Sequence, residues 1–120
     1  MDKWQAVQAF WGGFSIPAYD ENTVPDGAVM PYITYETSAS DFGNSITQNA
    51  SLWYHSPSWA DISKKADAIS DRITRGGIMI PYGESAAWIR KGSPFAQRMD
   101  DPNNDMIRRI VLNVNIEFLD

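Results

Sequence analysis

The C-terminal run MIRRIVLNVNIEFL places Ile110, Leu112, Val114, Ile116 and Phe118 at every second position, with Asn113, Asn115 and Glu117 between them. Successive side chains of a strand point to opposite faces, so this pattern demands a strand with one dry face and one wet one. A chain that ends this way must supply partners for the strand's backbone and a cover for its apolar side. The expected solution is a sheet with helices on one face only.

The rest of the chain supplies candidates for both. Residues 2–11 read as a short helix, with Asp2 as N-cap and Trp4, Val7 and Trp11 on one face; Gly12-Gly13 ends it through a left-handed C-cap. PYITYET from Pro31 reads as a strand. In SITQNASLWYHS, Ile46, Ala50, Leu52 and Tyr54 alternate with Thr47, Asn49 and Ser51, a second half-buried strand. SASDFGN supplies the turn between them. Trp59, Ile62, Ala66, Ile69 and Ile73 then recur at helical spacing. That helix is expected to be capped by Ser56 with Pro57, or by a box from Ser58 to Asp61, and stopped by Gly76-Gly77. ESAAWIRKG reads as a third strand. The expected fold is α+β in one domain, residues 1–120. Its sheet is four-stranded and mostly antiparallel, with two helices on one face in the order α-β-β-α-β-β. Long arms at 15–30 and 92–105 complete it.

Charge and composition narrow the chemistry. The 120 residues contain no Cys, which excludes disulfides and thiolate metal sites. Residues 1–60 hold one base, Lys3, against six acids, while residues 61–120 hold nine of each sign, giving the net −5. This balance suits neither phosphate neutralisation nor specific nucleic-acid binding. No segment has the apolar run of a signal peptide or of a membrane span, so a cytosolic protein with no membrane partner is expected.

The Asp- and Asn-rich stretch SPFAQRMDDPNND, residues 93–105, tests for metal or catalysis. Counted as a calcium loop from Asp101, it has Met106 where Gly belongs and Leu112 where Glu belongs. Asp100 and Asp101 are adjacent, which does not converge two carboxylates on one bond. His55 is the lone His, too few for an ordinary zinc site. GESAA at residues 83–87 departs from the nucleophile elbow in its last position. Neither Gly pair forms a phosphate loop. The expectation is therefore no enzyme, no metal and no cofactor.

Several phrases together resemble one family: VPDGAVMPYITYET, LWYHSPSWADISKKADAI and KGSPFAQRMDDPNNDMIRRIVLNVNIEFL. In this combination, over nearly the whole length, the chain resembles the tail terminator (tail completion, minor tail) proteins of long-tailed bacteriophages. The resemblance implies a structural virion protein at the head-proximal end of the tail, made in the host cytoplasm. It implies a homo-oligomeric ring, usually a hexamer, that stops tail-tube polymerisation. Its implied partners are further copies of itself, the tail tube protein and the head–tail connector or stopper, with DNA passing through the lumen without specific binding. Alternatives are another neck or tail component (a head-completion protein or a tube subunit), a small hydrolase using His55, or a module that binds peptides along a strand edge. As assembly contacts the sequence suggests Phe14, Phe95, Arg98, Met99, Asp100 and Asp101, apolar or charged residues on predicted connections.

Overall fold

The computed structural model describes residues 2–36 and 45–119. The turn expected in SASDFGN, residues 38–44, lies outside them. The chain runs α1 (Lys3–Trp11), β1 (Ala18–Asp20), β2 (Tyr32–Tyr35), β3 (Ser45–His55), α2 (Ala60–Ile73), β4 (Ile78–Tyr82), β5 (Ser85–Asp100) and β6 (Ile107–Phe118). The strands form one sheet in the order β1-β2-β3-β6-β5-β4. β1 lies parallel to β2, and the other neighbours are antiparallel.

This corrects the expected four-stranded sheet: it has six strands, is mixed, and begins with a parallel pair. The two strands missed have identifiable reasons. β1 is only AYD, too short to show a period, inside a Pro-rich connection. β4 is IMIPY, whose near-continuous apolar run and Pro81 disguise an edge strand. A third correction concerns the arm at 92–105. β5 continues through it to Asp100, and only the tip beyond is irregular. Its pattern was hidden by a register shift between Lys91 and Ala96, where Ser93–Pro94 is cis. The shift exchanges the faces: Ala87, Ile89 and Lys91 lie opposite inward residues of β6 before it, Ala96 and Arg98 after it.

β6 sits at the centre, and all five of its alternating apolar residues from Ile110 to Phe118 are buried. Each such side chain contributes about 1.5–3 kcal/mol of burial. Both helices cover this same side. Trp4 meets the Phe118 ring edge-on at 5.7 Å, while Ile62, Ala66, Ile69 and Ile73 of α2 bury against β3, β5 and β6.

α1 touches β1 at one edge of the sheet and β4 and β5 at the other. In a flat six-stranded sheet those edges would stand about 24 Å apart, whereas a helix is about 10–12 Å across. The sheet therefore curls around α1. A buried network fixes that helix within it: Trp11 Nε1 donates to Gln48 Oε1 at 2.8 Å, and Gln48 Nε2 donates to the Glu36 carbonyl at 2.7 Å. The Tyr35 hydroxyl donates to Gln8 Oε1.

The ends of the helices differ in how far they follow expectation. Asp2 caps α1 with a complete capping box through Gln5, but Gly12 ends it in a right-handed conformation, φ −73°. α2 starts at Ala60, later than the Ser caps suggest. Ser56 and Ser58 instead accept from the amides of Ser58 and Ala60 and shape the approach.

Both sheet edges carry features that hinder strand addition. On β1 the outward carbonyl of Ala18 accepts from Gln8 Nε2 at 3.1 Å, and that of Asp20 accepts from the Thr23 amide at 3.0 Å. On β4 the register partner of Pro81 is Ala86, whose carbonyl accepts from Leu119 on the opposite side. Pro81 thus faces outward and removes an N–H from the free edge.

Gly77 has φ +92°, and a Cβ there would stand 2.6 Å from Trp88 Nε1 and 2.7 Å from the Ile89 carbonyl. Gly77→Ala should cost at least about 1–3 kcal/mol in chemical denaturation. Gly76→Ala, with nothing within 4 Å of its added carbon, should leave the midpoint within about 1 kcal/mol of the wild type.

Candidate functional site

With both helices on the concave side, the convex face of the sheet is left uncovered by any described element. Its side chains are the odd-numbered positions of β3 and β6 and their register partners. Across the end of this face, Tyr32, Trp53, Arg109 and Met99 stand in one cross-strand row on β2, β3, β6 and β5. Tyr19 of β1 extends the row, its ring 5.8 Å from that of Tyr32. Five strands at ordinary spacing make a band roughly 19 Å long.

The band is built for rigidity. The Arg109 guanidinium lies 4.6 Å from the Trp53 ring centroid, and its Nε donates to Ser51 Oγ at 3.1 Å. Trp53 Nε1 donates to Thr34 Oγ1 at 2.9 Å. Cation–π stacking and these two bonds hold both side chains upright without covering them. Met99 is 42% exposed at the far end. Tyr, Trp, Arg and Met are the types enriched at protein interfaces.

The middle of the face is polar, with Thr47, Asn49, Asn113 and Asn115. At its other end Arg90 stacks on Trp88 at 4.2 Å, with Met79 and Glu117 as register neighbours of Trp88. Asn49-Ala50-Ser51 spells a glycosylation sequon, but Asn49 is half-buried on a paired strand and Ser51 is buried, so the triplet is part of the sheet.

The residues suggested as assembly contacts are dispersed. Phe14 is only 8% exposed and packs edge-on against Phe10 at 5.3 Å, so its ring belongs to the core. Phe95 is half-buried beneath Lys91. Arg98 lies on the concave side, 4.9 Å from the Trp59 ring, and reaches Ser63. Asp100 is the register partner of Arg108. Asp101 accepts from the Asn103 amide at 2.8 Å, and Asn104 Oδ1 from the Met106 amide at 2.9 Å, so these side chains shape the turn. Met99 alone of the six reaches the convex band. Trp53, Arg109, Tyr32 and Tyr19 were missed, although Trp53 shares the parity of Thr47, Asn49 and Ser51, which is a readable sign of an outward aromatic.

The hairpin tip is anchored rather than free. Arg98 and Arg108 both stack on Trp59, the latter at 5.3 Å, and Arg108 also donates to the Pro57 and Asp105 carbonyls. Ser56 N–H donates to the Met106 carbonyl at 2.7 Å.

Two shallow clefts flank α2. One of about 330 Å³ is lined by Tyr54, Asp61, Lys64, Lys65 and Ala68, and one of about 350 Å³ lies between α2 and the β5–β6 hairpin. Burial, helped by the Asp61 charge, holds the Tyr54 hydroxyl above its usual pKa. His55 is exposed at the end of β3. Among the described residues no three His, Asp or Glu gather to hold a metal, and no helix is long and apolar enough to cross a membrane.

Two outcomes follow from this geometry. Trp59→Ala should release the tip, lowering stability by about 1–3 kcal/mol and speeding amide exchange in residues 98–109. The raised Tyr54 and Tyr35 hydroxyls remain protonated in the folded state at pH values where unfolded tyrosines ionise. Stability is then fully present below about pH 10 and falls as pH rises from there through the folded values, as melting curves across pH 9–12 should record.

No family model matches the chain, and no curated protein matches it. Among solved structures, the fold is similar to that of a chain from the "Virion of native gene transfer agent (GTA) particle". The TM-score is 0.59 over 98% of this chain and 91% of that one, at 17% sequence identity. What the two chains share is the fold, over nearly the whole length of each.

Proposed function

We propose that this chain is a structural component of a phage-like virion, and within it the terminator ring at the head-proximal end of the tail tube. The observation that carries the reading is the end-to-end similarity of fold to a chain of a gene transfer agent virion. It agrees with the tail-terminator resemblance of the sequence, which arose from different features. In this role the protein assembles with copies of itself, ends growth of the tube, and presents its far surface to the connector, while DNA passes through the lumen. An interaction protein also suits a face built of stacked Arg and Trp, where a catalytic protein would present convergent titratable groups. His55 at an exposed strand end has no base–orienter arrangement around it among the described residues, so the hydrolase alternative gains nothing from the geometry.

Removing the gene from the particle that encodes it should leave tails of abnormal length, unjoined to heads, in electron micrographs. Normal tails and joined particles would overturn the assignment. Purified protein should stop at discrete oligomers; growth into long tubes would instead identify a tube subunit.

A further inference from the structure

We propose that the convex band is the acceptor for the loop at residues 21–31 of a second copy of this chain, so that copies join head to tail. The proposal rests on the assembly role given above and names the surfaces through which that assembly occurs.

Three observations lead to it. The first is charge. The band carries Arg109 and no acid, whereas the loop at residues 21–31 carries Glu21 and Asp26 and no base. An acidic loop and a basic, aromatic face on the same chain complement one another. The Arg109 guanidinium is held by Ser51 through Nε and by the face of the Trp53 ring, and a guanidinium so placed can pair with a partner's carboxylate through its terminal nitrogens.

The second is exposed apolar surface. Val29 on the loop is 79% exposed, the most exposed large apolar residue described, and Met99 on the band is 42% exposed. Covering Val29 with Met99 and the edge of Trp53 would remove both from water.

The third is placement. The loop leaves the sheet beside Tyr19 and returns at Tyr32, at the β1–β2 end of the band, while Met99 lies on β5 at the other end. Val29 stays 79% exposed, so the loop does not bury it on the band of its own molecule. Donor and acceptor are different surfaces of the chain, so the contact is heterologous, and it closes into a ring when the rotation permits. Both sheet edges are blunted against backbone pairing, which favours a join made by side chains.

The Cys-free chain allows a direct test. Val29→Cys and Met99→Cys variants of the full chain are each treated with a bis-maleimide cross-linker, alone and as an equimolar mixture. The mixture should give cross-linked heterodimers that stop at two copies, and the variant carrying both substitutions should give a ladder of higher multimers. Adding Arg109→Glu to the Met99→Cys chain should cut the heterodimer yield about tenfold or more, and adding Asp26→Arg to its Val29→Cys partner should recover it. Cross-links within either single variant alone would mark a symmetric contact and overturn the proposal. So would the absence of cross-links in the double variant, or an Arg109→Glu chain that is folded by circular dichroism and cross-links as before. If cross-linking follows expectation but tails form normally without the protein, the contact stands and the terminator role falls. Abnormal tails without cross-linking would instead keep the terminator role and overturn the contact.

Discussion

The buried face of β6 organises the molecule. Its five inward apolar residues, Ile110 to Phe118, occupy the centre of the sheet, with β3 on one side and β5 on the other. Because they all need cover on the same side, both helices must lie there. With α1 reaching strands at both edges, the sheet has to curl. The concave side becomes the core and the convex side is left bare. Every other property of the surface follows from that asymmetry, including where Trp53, Arg109 and Trp88 come to stand.

A small protein with an open sheet must also keep its edges from sticking. β1 has its outward carbonyls engaged by Gln8 and Thr23, and β4 turns Pro81 outward. A sheet whose edges are protected in this way associates through side chains, which specify partner and orientation more narrowly than a row of backbone groups would. The stacking of Arg109 on Trp53 and of Arg90 on Trp88 fits that logic. Each pair is pre-ordered, so binding at this face would cost little side-chain freedom.

Legibility in the sequence tracked the strength of local pattern. The helical stripe from Trp59 to Ile73 and the alternation in β3 and β6 were visible because each repeats its own period several times. β1 was invisible at three residues, β4 was masked by its Pro, and the outer half of β5 was obscured by the bulge that exchanges its faces. The Asp- and Asn-rich segment was readable as turn chemistry, and Asp101 and Asn104 serve in that way. Its neighbours Phe95, Arg98 and Met99 could not be sorted from sequence. The register shift sends Arg98 to the concave side and Met99 to the convex one, while Phe95 settles against the core.

Local pattern was enough to establish the elements with a period long enough to read, the single buried face of the last strand, the absence of thiol chemistry and the acidic N-terminal half. It took the folded chain to settle which strands are neighbours, that the first pair is parallel, and that Tyr19, Tyr32, Trp53, Arg109 and Met99 form one band. Those residues are scattered between positions 19 and 109 and lie on five strands. Strand order and register are set by long-range pairing, and no local period encodes them.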